Sequence, residues 1–207
     1  MHDLKYISMF KKGTKELGLN LEIEPYFALL DLLTKWNKAK NLTSITDYSQ
    51  MIAKHLLDSL AIAPFIKGDT VIDVGTGAGF PGLPLALYLP NKHFYLCDSN
   101  GKKTAFIIEA VRVLGLTNVT LVNQRIEKYA AKDKFDCIVS RAFSSLADMV
   151  DKTKHLRADN GTFVAMKGLI HKKELSELPI GYKVESHRLD VPFIDGERHA
   201  IIVIANP

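Results

Sequence analysis

Apolar positions along this chain follow two different rhythms. Up to about residue 66 they recur three and four apart, the spacing of a helix with one buried face. Leu4, Ile7, Phe10 and Leu17 share a face of a first helix. Tyr26, Phe27, Leu29, Leu30, Leu32, Leu33 and Trp36 form a broader stripe on a second. That stripe opens near Pro25, and a proline suits the first helical turn, where its missing N–H is not needed. A loop is expected over 41–48 and a third helix over 49–65. Lys67-Gly68-Asp69 then supplies turn chemistry.

From residue 70 the texture changes. Short apolar runs at 70–74, 93–97, 119–122, 135–140 and 162–166 alternate with helix-like stretches near 82–89, 101–114, 125–131, 145–156 and 169–177. Strand–helix alternation of this kind predicts a parallel sheet covered on both faces. The last two runs, 182–189 and 200–205, enclose only Val191-Pro192 and Asp195-Gly196, so they are expected to close the sheet as an antiparallel pair. The implied organisation is a helical extension over 1–66 packed on a single α/β core over 67–207, with no internal repeat.

Composition narrows this little further. The chain has 207 residues, 47% hydrophobic and 24% charged, which is globular rather than disordered. A net charge of +4 is compatible with a nucleic-acid partner without demanding one. The two cysteines, Cys97 and Cys137, fall inside apolar runs and read as buried thiols of a reducing compartment. No stretch approaches the roughly 18 apolar residues of a membrane span, and the N-terminus lacks a signal-peptide pattern. A cytoplasmic protein is expected.

The segment richest in chemistry is Asp73-Val74-Gly75-Thr76-Gly77-Ala78-Gly79-Phe80-Pro81-Gly82, between a strand and a helix. Glycines there let the backbone turn tightly and approach a ligand. Gly77, Gly79 and Gly82 satisfy G-x-G-x-x-G, the fingerprint of dinucleotide binding, and Asp98 at the end of the next run lies where that fingerprint wants a ribose-binding acid. The competing pattern is acid-Val-Gly-x-Gly-x-Gly, which belongs to methyltransferases. Asp73 favours the second. A carboxylate directly before the loop repels a pyrophosphate, whereas the sulfonium and ammonium of S-adenosylmethionine attract it. The plainer role for Asp73 is a turn or helix cap. Seven strands with a reversed final hairpin also suit Rossmann-like S-adenosylmethionine-dependent methyltransferases better than nucleotide dehydrogenases.

Asp98 is expected on the donor's ribose hydroxyls, with an N-cap near Asn100 as the alternative. After the third run, Ile126 is placed to pack on an adenine and Glu127 to meet its amine, or to serve as first-turn charge on a helix. The corner after the fourth run reads Val139-Ser140-Arg141-Ala142-Phe143. It lacks the Asn/Asp-Pro-Pro-aromatic motif of amine methylation and presents no cysteine nucleophile for C5 chemistry. Guanine N7, with a free lone pair and no proton to lose, fits an enzyme that works by positioning. An oxygen or nitrogen acceptor with a remote base stays open. Arg141 is either a structural ion pair, with Asp136 or Glu127, or a ligand for the donor's carboxylate or an RNA phosphate. Lys152, Lys154, Arg157, Lys167, Lys172 and Lys173, with His155 and His171 among them, form a basic run: a solvated face or an RNA-backbone contact.

A set of local sequences goes beyond these readings: Trp36-Asn37, Asn41-Leu42-Thr43, His55-Leu56-Leu57-Asp58-Ser59, the Asp73–Gly82 loop, Asp98-Ser99 with Lys102, Ser140–Phe143, Met166-Lys167-Gly168 and Gly196-Glu197-Arg198-His199. In these, from about Trp36 to Asn206, the chain resembles the bacterial glucose-inhibited division protein B family of small-subunit (16S) ribosomal RNA (guanine-N7)-methyltransferases. The resemblance implies donor contacts at Gly75, Phe80, Ile126, Glu127 and Arg141, and N7 methylation of a guanosine in the decoding region. With Asp73, Gly77 and Asp98 these make the expected donor site, Arg141 also serving catalysis. Asn41, Thr43, Lys167 and Arg198 are expected to meet the RNA. Ala78 and Phe80 stand where relatives vary. The expected partners are S-adenosylmethionine and small-subunit RNA, free or within a 30S particle, with no metal, no membrane and a monomeric chain. A methyltransferase acting on another RNA, a protein or a small molecule is the alternative, and a dinucleotide oxidoreductase a third.

Overall fold

The computed structural model describes residues 2–143, 145–170, 174–175 and 177–206. Its first helices are α1 (Leu4–Glu16) and α2 (Glu24–Lys40). Helix α2 carries Pro25 in its first turn and ends where Asn41 turns left-handed at φ 50°. Tyr26, Phe27, Leu29, Leu30 and Leu33 bury one face of it. The expected third helix is divided. Tyr48–Met51 (α3) runs into a π-helical segment, Ile52–Leu57, then the short α4 (Asp58–Leu60) and a 3₁₀ turn, Ala63–Phe65. Among its polar residues, His55 in the π-helical segment and Asp58 and Ser59 in α4 are buried, whereas Gln50 is exposed and Lys54 only partly buried.

The seven strands are β1 (Thr70–Val74), β2 (His93–Cys97), β3 (Val119–Val122), β4 (Phe135–Ser140), β5 (Arg157–Lys167), β6 (Tyr182–Arg188) and β7 (His199–Ala205). They form one sheet in the order β3-β2-β1-β4-β5-β7-β6. The first five are parallel, and β7 pairs antiparallel with both β5 and β6. The expected sheet is therefore present. Strand β5 starts earlier than the apolar run suggested, because Arg157 pairs with Phe135 before the register shifts.

Strand geometry sends alternate side chains to opposite faces. Val71, Cys137 and Val139 join one buried cluster with α1, α2 and the π-helical segment, whereas Ile72 and Ile138 join the other. The second cluster is covered by α7 (Leu146–Thr153), through Leu146, Met149 and Val150. Helices α5 (Gly82–Tyr88) and α6 (Gly101–Leu114) follow β1 and β2. The helix expected over 125–131 is a single 3₁₀ turn, Ile126–Lys128, and that over 145–156 is α7 followed by the turn Lys154–Leu156. The helix expected over 169–177 lies partly outside the described residues, as do His171, Lys172 and Lys173. Strand order reverses at β1, between β2 and β4, so a crevice opens beyond their carboxyl ends.

Candidate active site

The glycine loop lies across that crevice and is tied down at three points. The backbone N–H groups of Gly75 and Thr76 both donate to the Cys97 carbonyl, at 2.9 and 3.0 Å. Gly77 N–H donates to Asp98 Oδ2 at 2.9 Å. Beneath the loop, Asp73 Oδ2 accepts from Thr76 Oγ1 (2.6 Å) and from the Gly82 N–H that opens α5 (2.8 Å). Asp73 is 0% exposed, and burial pushes its carboxyl up to about 6 despite those bonds. It thus braces the loop from below and lines neither cavity described next. Its carboxylate also occupies the Gly82 N–H, one of the helix-terminal donors that a pyrophosphate would need. Phe80, another expected donor contact, is 3% exposed and stacks on the His55 ring, the centroids 4.6 Å apart and the planes 18° off parallel. It too faces the core.

In front of the loop is a cavity of about 380 Å³. Gly75, Asp98, Arg125, Ile126, Glu127 and Phe143 are among its walls, so four of the expected donor residues converge from three strand ends. Gly77 reaches it through its bond to Asp98. Asp98 is half-buried, and its Oδ1 accepts from Asn100 N–H at 2.8 Å. The N-cap of α6 is Asn100 itself, whose Oδ1 accepts from Lys102 and Lys103, and this leaves Asp98 at the cavity wall. A carboxylate beside an apolar shelf formed by Ile126 suits a ribose next to an adenine. Cys97 lies at the floor, where burial pushes its thiol up to about 12. Lys152 from the basic run stands at the rim, paired with Asp148 at 2.9 Å and within 3.9 Å of Glu127.

Phe143 also lines a second cavity, of about 480 Å³. Lys54, Arg141, Lys167 and Arg198 border it, and Asp58 contributes a carboxylate to the same wall. Arg141 pairs neither with Asp136 nor with Glu127. Its NH1 donates to the Lys54 carbonyl at 3.0 Å and to Asp58 Oδ2 at 3.3 Å. Asp136 is engaged elsewhere, accepting from Asp69 and Thr70. Arg141 lines this second cavity and not the one in front of the glycine loop. Arg198 Nε lies 3.3 Å from Asp58 Oδ1. Lys167 donates to the Phe143 carbonyl and pairs with Glu174 at 2.8 Å. Burial pushes the Asp58 carboxyl up, opposed by the two guanidiniums.

Asn41 and Thr43, expected on the RNA, line neither cavity. Asn41 is the exposed cap of α2. Thr43 is locked to Asn37 by two backbone contacts, and its hydroxyl meets His55 Nε2 at 3.0 Å. His55 borders the cationic cavity with its Nδ1 buried and unpartnered, and desolvation, aided by Arg141, pulls its pKa down to about 3. Residue-by-residue reading gave His55, Asp58 and Phe143 no role. The available signal was a histidine and an acid three apart in a largely apolar helical run. Among the described residues no cluster of His, Cys, Asp or Glu could hold a metal, and no helix is long and apolar enough to cross a membrane.

The family model for GidB, rRNA small subunit methyltransferase G, matches residues 22–202. The ribosomal RNA small subunit methyltransferase G of Haemophilus influenzae (strain PittEE) is 50% identical over 200 residues, 96% of this chain and 98% of that one. Among solved structures, an S-adenosylmethionine-dependent methyltransferase from Aquifex aeolicus aligns with a TM-score of 0.58 at 19% identity, over 83% of this chain and 97% of its own. M. jannaschii TYW2 in complex with AdoMet aligns with a TM-score of 0.53 at 21% identity, over 71% and 73%. At those identities the two structures speak to the fold alone.

Proposed function

The chain belongs to the GidB family, rRNA small subunit methyltransferase G, and uses S-adenosylmethionine; we propose that it methylates N7 of a guanosine in small-subunit ribosomal RNA. The observation that carries the proposal is the pair of cavities sharing Phe143: one with a carboxylate and an apolar shelf, the other bordered by Lys54, Arg141, Lys167 and Arg198. When bound, the donor supplies an electrophilic methyl group on a sulfonium. Asp98 accepts from the ribose hydroxyls, Ile126 packs on the adenine, and Glu127 takes the exocyclic amine. Gly75 and Gly77 present bare backbone along the donor.

The cationic cavity takes the acceptor nucleotide. Lys167 and Arg198 hold phosphate, Arg141 holds the donor's carboxylate or an RNA phosphate, and Met166 and Phe143 offer apolar surface to the base. Removing a proton is no part of the work, since N7 carries none. His55 is buried and held neutral, which suits a wall rather than a base. Arg141 serves catalysis by holding its ligand in line; a guanidinium donating to N7 would occupy the reacting lone pair. Asp73 and Phe80 shape the loop from behind, and Thr43 acts through His55. Asn41 keeps a place at the edge of the RNA footprint. The enzyme works as a cytoplasmic monomer on RNA within an assembling or assembled small subunit.

The test is methyl transfer from labelled donor into small subunits from a strain lacking the modification, followed by nucleoside analysis. N7-methylguanosine is expected. Label in another nucleoside, or in protein, would overturn the choice of acceptor while leaving the donor site intact.

A further inference from the structure

The loop between α2 and α3 walls two cavities at once. Ile45 lines the cationic cavity, while its neighbours Thr43, Ser44 and Thr46 line another, of about 440 Å³. The two cavities meet where Thr43 Oγ1 lies 3.0 Å from His55 Nε2, since Thr43 borders one and His55 the other. Thr34, Asn37 and Lys38, three and four apart on one face of α2, complete the new cavity with the cap residue Asn41. Met51, 1% exposed, gives it an apolar floor.

Its frame is fixed by internal bonds. Asn37 Nδ2 donates to the Thr43 carbonyl at 3.0 Å, and Asn37 Oδ1 accepts from Thr43 N–H at 2.9 Å. Thr34 Oγ1 donates to the Leu30 carbonyl. At the rim the reverse holds. Among the described residues, the exposed side chains of Lys38, Asn41, Ser44 and Thr46 make no hydrogen bond or ion pair with the rest of the chain. Four polar groups around a braced, partly apolar hollow are thus left for a ligand. Three of the four are neutral, which suits a base and its ribose, whereas a phosphate would call for the charge of the neighbouring cavity. The volume also suits a nucleoside, being larger than the roughly 380 Å³ assigned above to a donor that contains one.

A guanosine that enters the cationic cavity must leave its stack, and its neighbour in the strand then loses a stacking partner. Bases splayed out in this way are the ones proteins read by hydrogen bonds along their edges. We propose that the cavity of Asn41 takes a second nucleotide of the acceptor RNA, one flanking the methylated guanosine, with Asn41 reading an edge of its base and Ser44 and Thr46 meeting its ribose. This rests on the functional reading above and adds a subsite to it. The subsite selects which guanosine is presented and touches neither the donor nor the reacting atom.

The test uses Asn41→Gly and Thr46→Val. Asn41 has φ 50°, so glycine keeps the left-handed turn while deleting the carboxamide. Valine keeps the shape of Thr46 and deletes its hydroxyl. KM and kcat are measured on small subunits lacking the modification, beside donor Kd by calorimetry. Each variant is expected to raise KM about fivefold or more, with kcat and donor Kd within about twofold. The slope of KM against salt should be unchanged, because neither residue carries charge. Subunits in which each nucleotide flanking the acceptor is replaced in turn supply the second arm. Wild type should discriminate against replacement of one neighbour, and Asn41→Gly should lose that discrimination. Should Asn41→Gly melt far lower, Thr46→Val carries the kinetic arm alone. KM unchanged in both variants would overturn the proposal, as would full discrimination retained in Asn41→Gly. A wild-type enzyme that binds donor but never labels RNA overturns the functional reading and this proposal with it. Labelled RNA with unaffected variants overturns this proposal alone.

Discussion

The Phe80 ring stacks on the imidazole of His55, 4.6 Å away and 18° from parallel. One ring belongs to the glycine loop and the other to the π-helical segment before the sheet. The contact explains why Phe80 is turned from the donor cavity, and it ties the loop's shape to the helical N-terminal region.

His55 disfavours acid. Its folded pKa is pulled to about 3 from an ordinary 6.5, so the native state binds fewer protons than the unfolded state between those values. Stability is full above about pH 6.5 and falls as pH drops toward 3, by a few kcal/mol in all. In His55→Gln, urea unfolding from pH 4 to 7 is expected to lose most of that slope. An unchanged slope would show that the imidazole is not the group responsible.

Asp73 acts with the opposite sign. Its folded pKa of about 6 exceeds the ordinary 3.8, so the native state holds its proton longer than the unfolded one. Its contribution is therefore favourable at about pH 4 and is lost as pH rises through 6, a change of about 3 kcal/mol. Asp73→Asn keeps an acceptor for Thr76 and Gly82 but cannot ionise. Compared with wild type, it is expected to gain relative stability as pH rises across that window. A gap between the two proteins that stays constant with pH would refute the assignment.

Gly75 and Gly77 both have positive φ, +69° and +63°, but differ in room. A Cβ on Gly75 would meet the Ala142 Cβ at 2.6 Å, whereas one on Gly77 meets nothing nearer than Lys103 Nζ at 3.9 Å. Gly77→Ala should cost only the left-handed backbone strain, about 1–2 kcal/mol. Gly75→Ala should cost more, because Ala142 must also move. Loss of donor binding in a Gly75 variant therefore reports on the corner as well as on donor space. Chemical unfolding of both variants gives the order, and equal costs would contradict the packing described.

Arg141→Ala removes one of the two partners of a buried acid. Arg198 remains, and Arg141 is itself 31% exposed, so the stability loss should fall below the ~3–5 kcal/mol of a fully buried pair, at about 1–3 kcal/mol. Because Arg141 lines the cationic cavity and not the donor's, donor Kd should change little while methyl transfer drops sharply. Calorimetry and single-turnover rates on the same preparation separate the two. Donor binding lost in proportion to turnover would place Arg141 on the donor.

Asp98→Asn tests the donor cavity directly. The carboxamide retains one acceptor for Gly77 but gives up a charged acceptor at the cavity wall, and donor affinity should fall about tenfold or more with melting nearly kept. A variant that melts far lower would mean that Asp98 chiefly braces the Gly77 and Asn100 backbone.

Much of this molecule follows from local sequence. The seven strands are legible because their apolar runs are short and separated by turn residues. The donor cavity is legible for a related reason: Gly75, Asp98 and Ile126 each follow a strand, and parallel strands deliver their ends to one edge. Which way a side chain points once it arrives there is a different matter. Asp73 and Phe80 belong to the same loop as Gly75, yet burial against Thr76, Gly82 and His55 turns them inward. Arg141 was legible as a charged corner residue, but its partner Asp58 lies 83 positions back in the chain, at the start of α4 directly after the π-helical segment. Local sequence fixes period and turn chemistry, because those depend on neighbours a few residues away. The pairing of Asp58 with Arg141 and Arg198 depends on segments meeting across the sheet, and only the packed tertiary structure determines that.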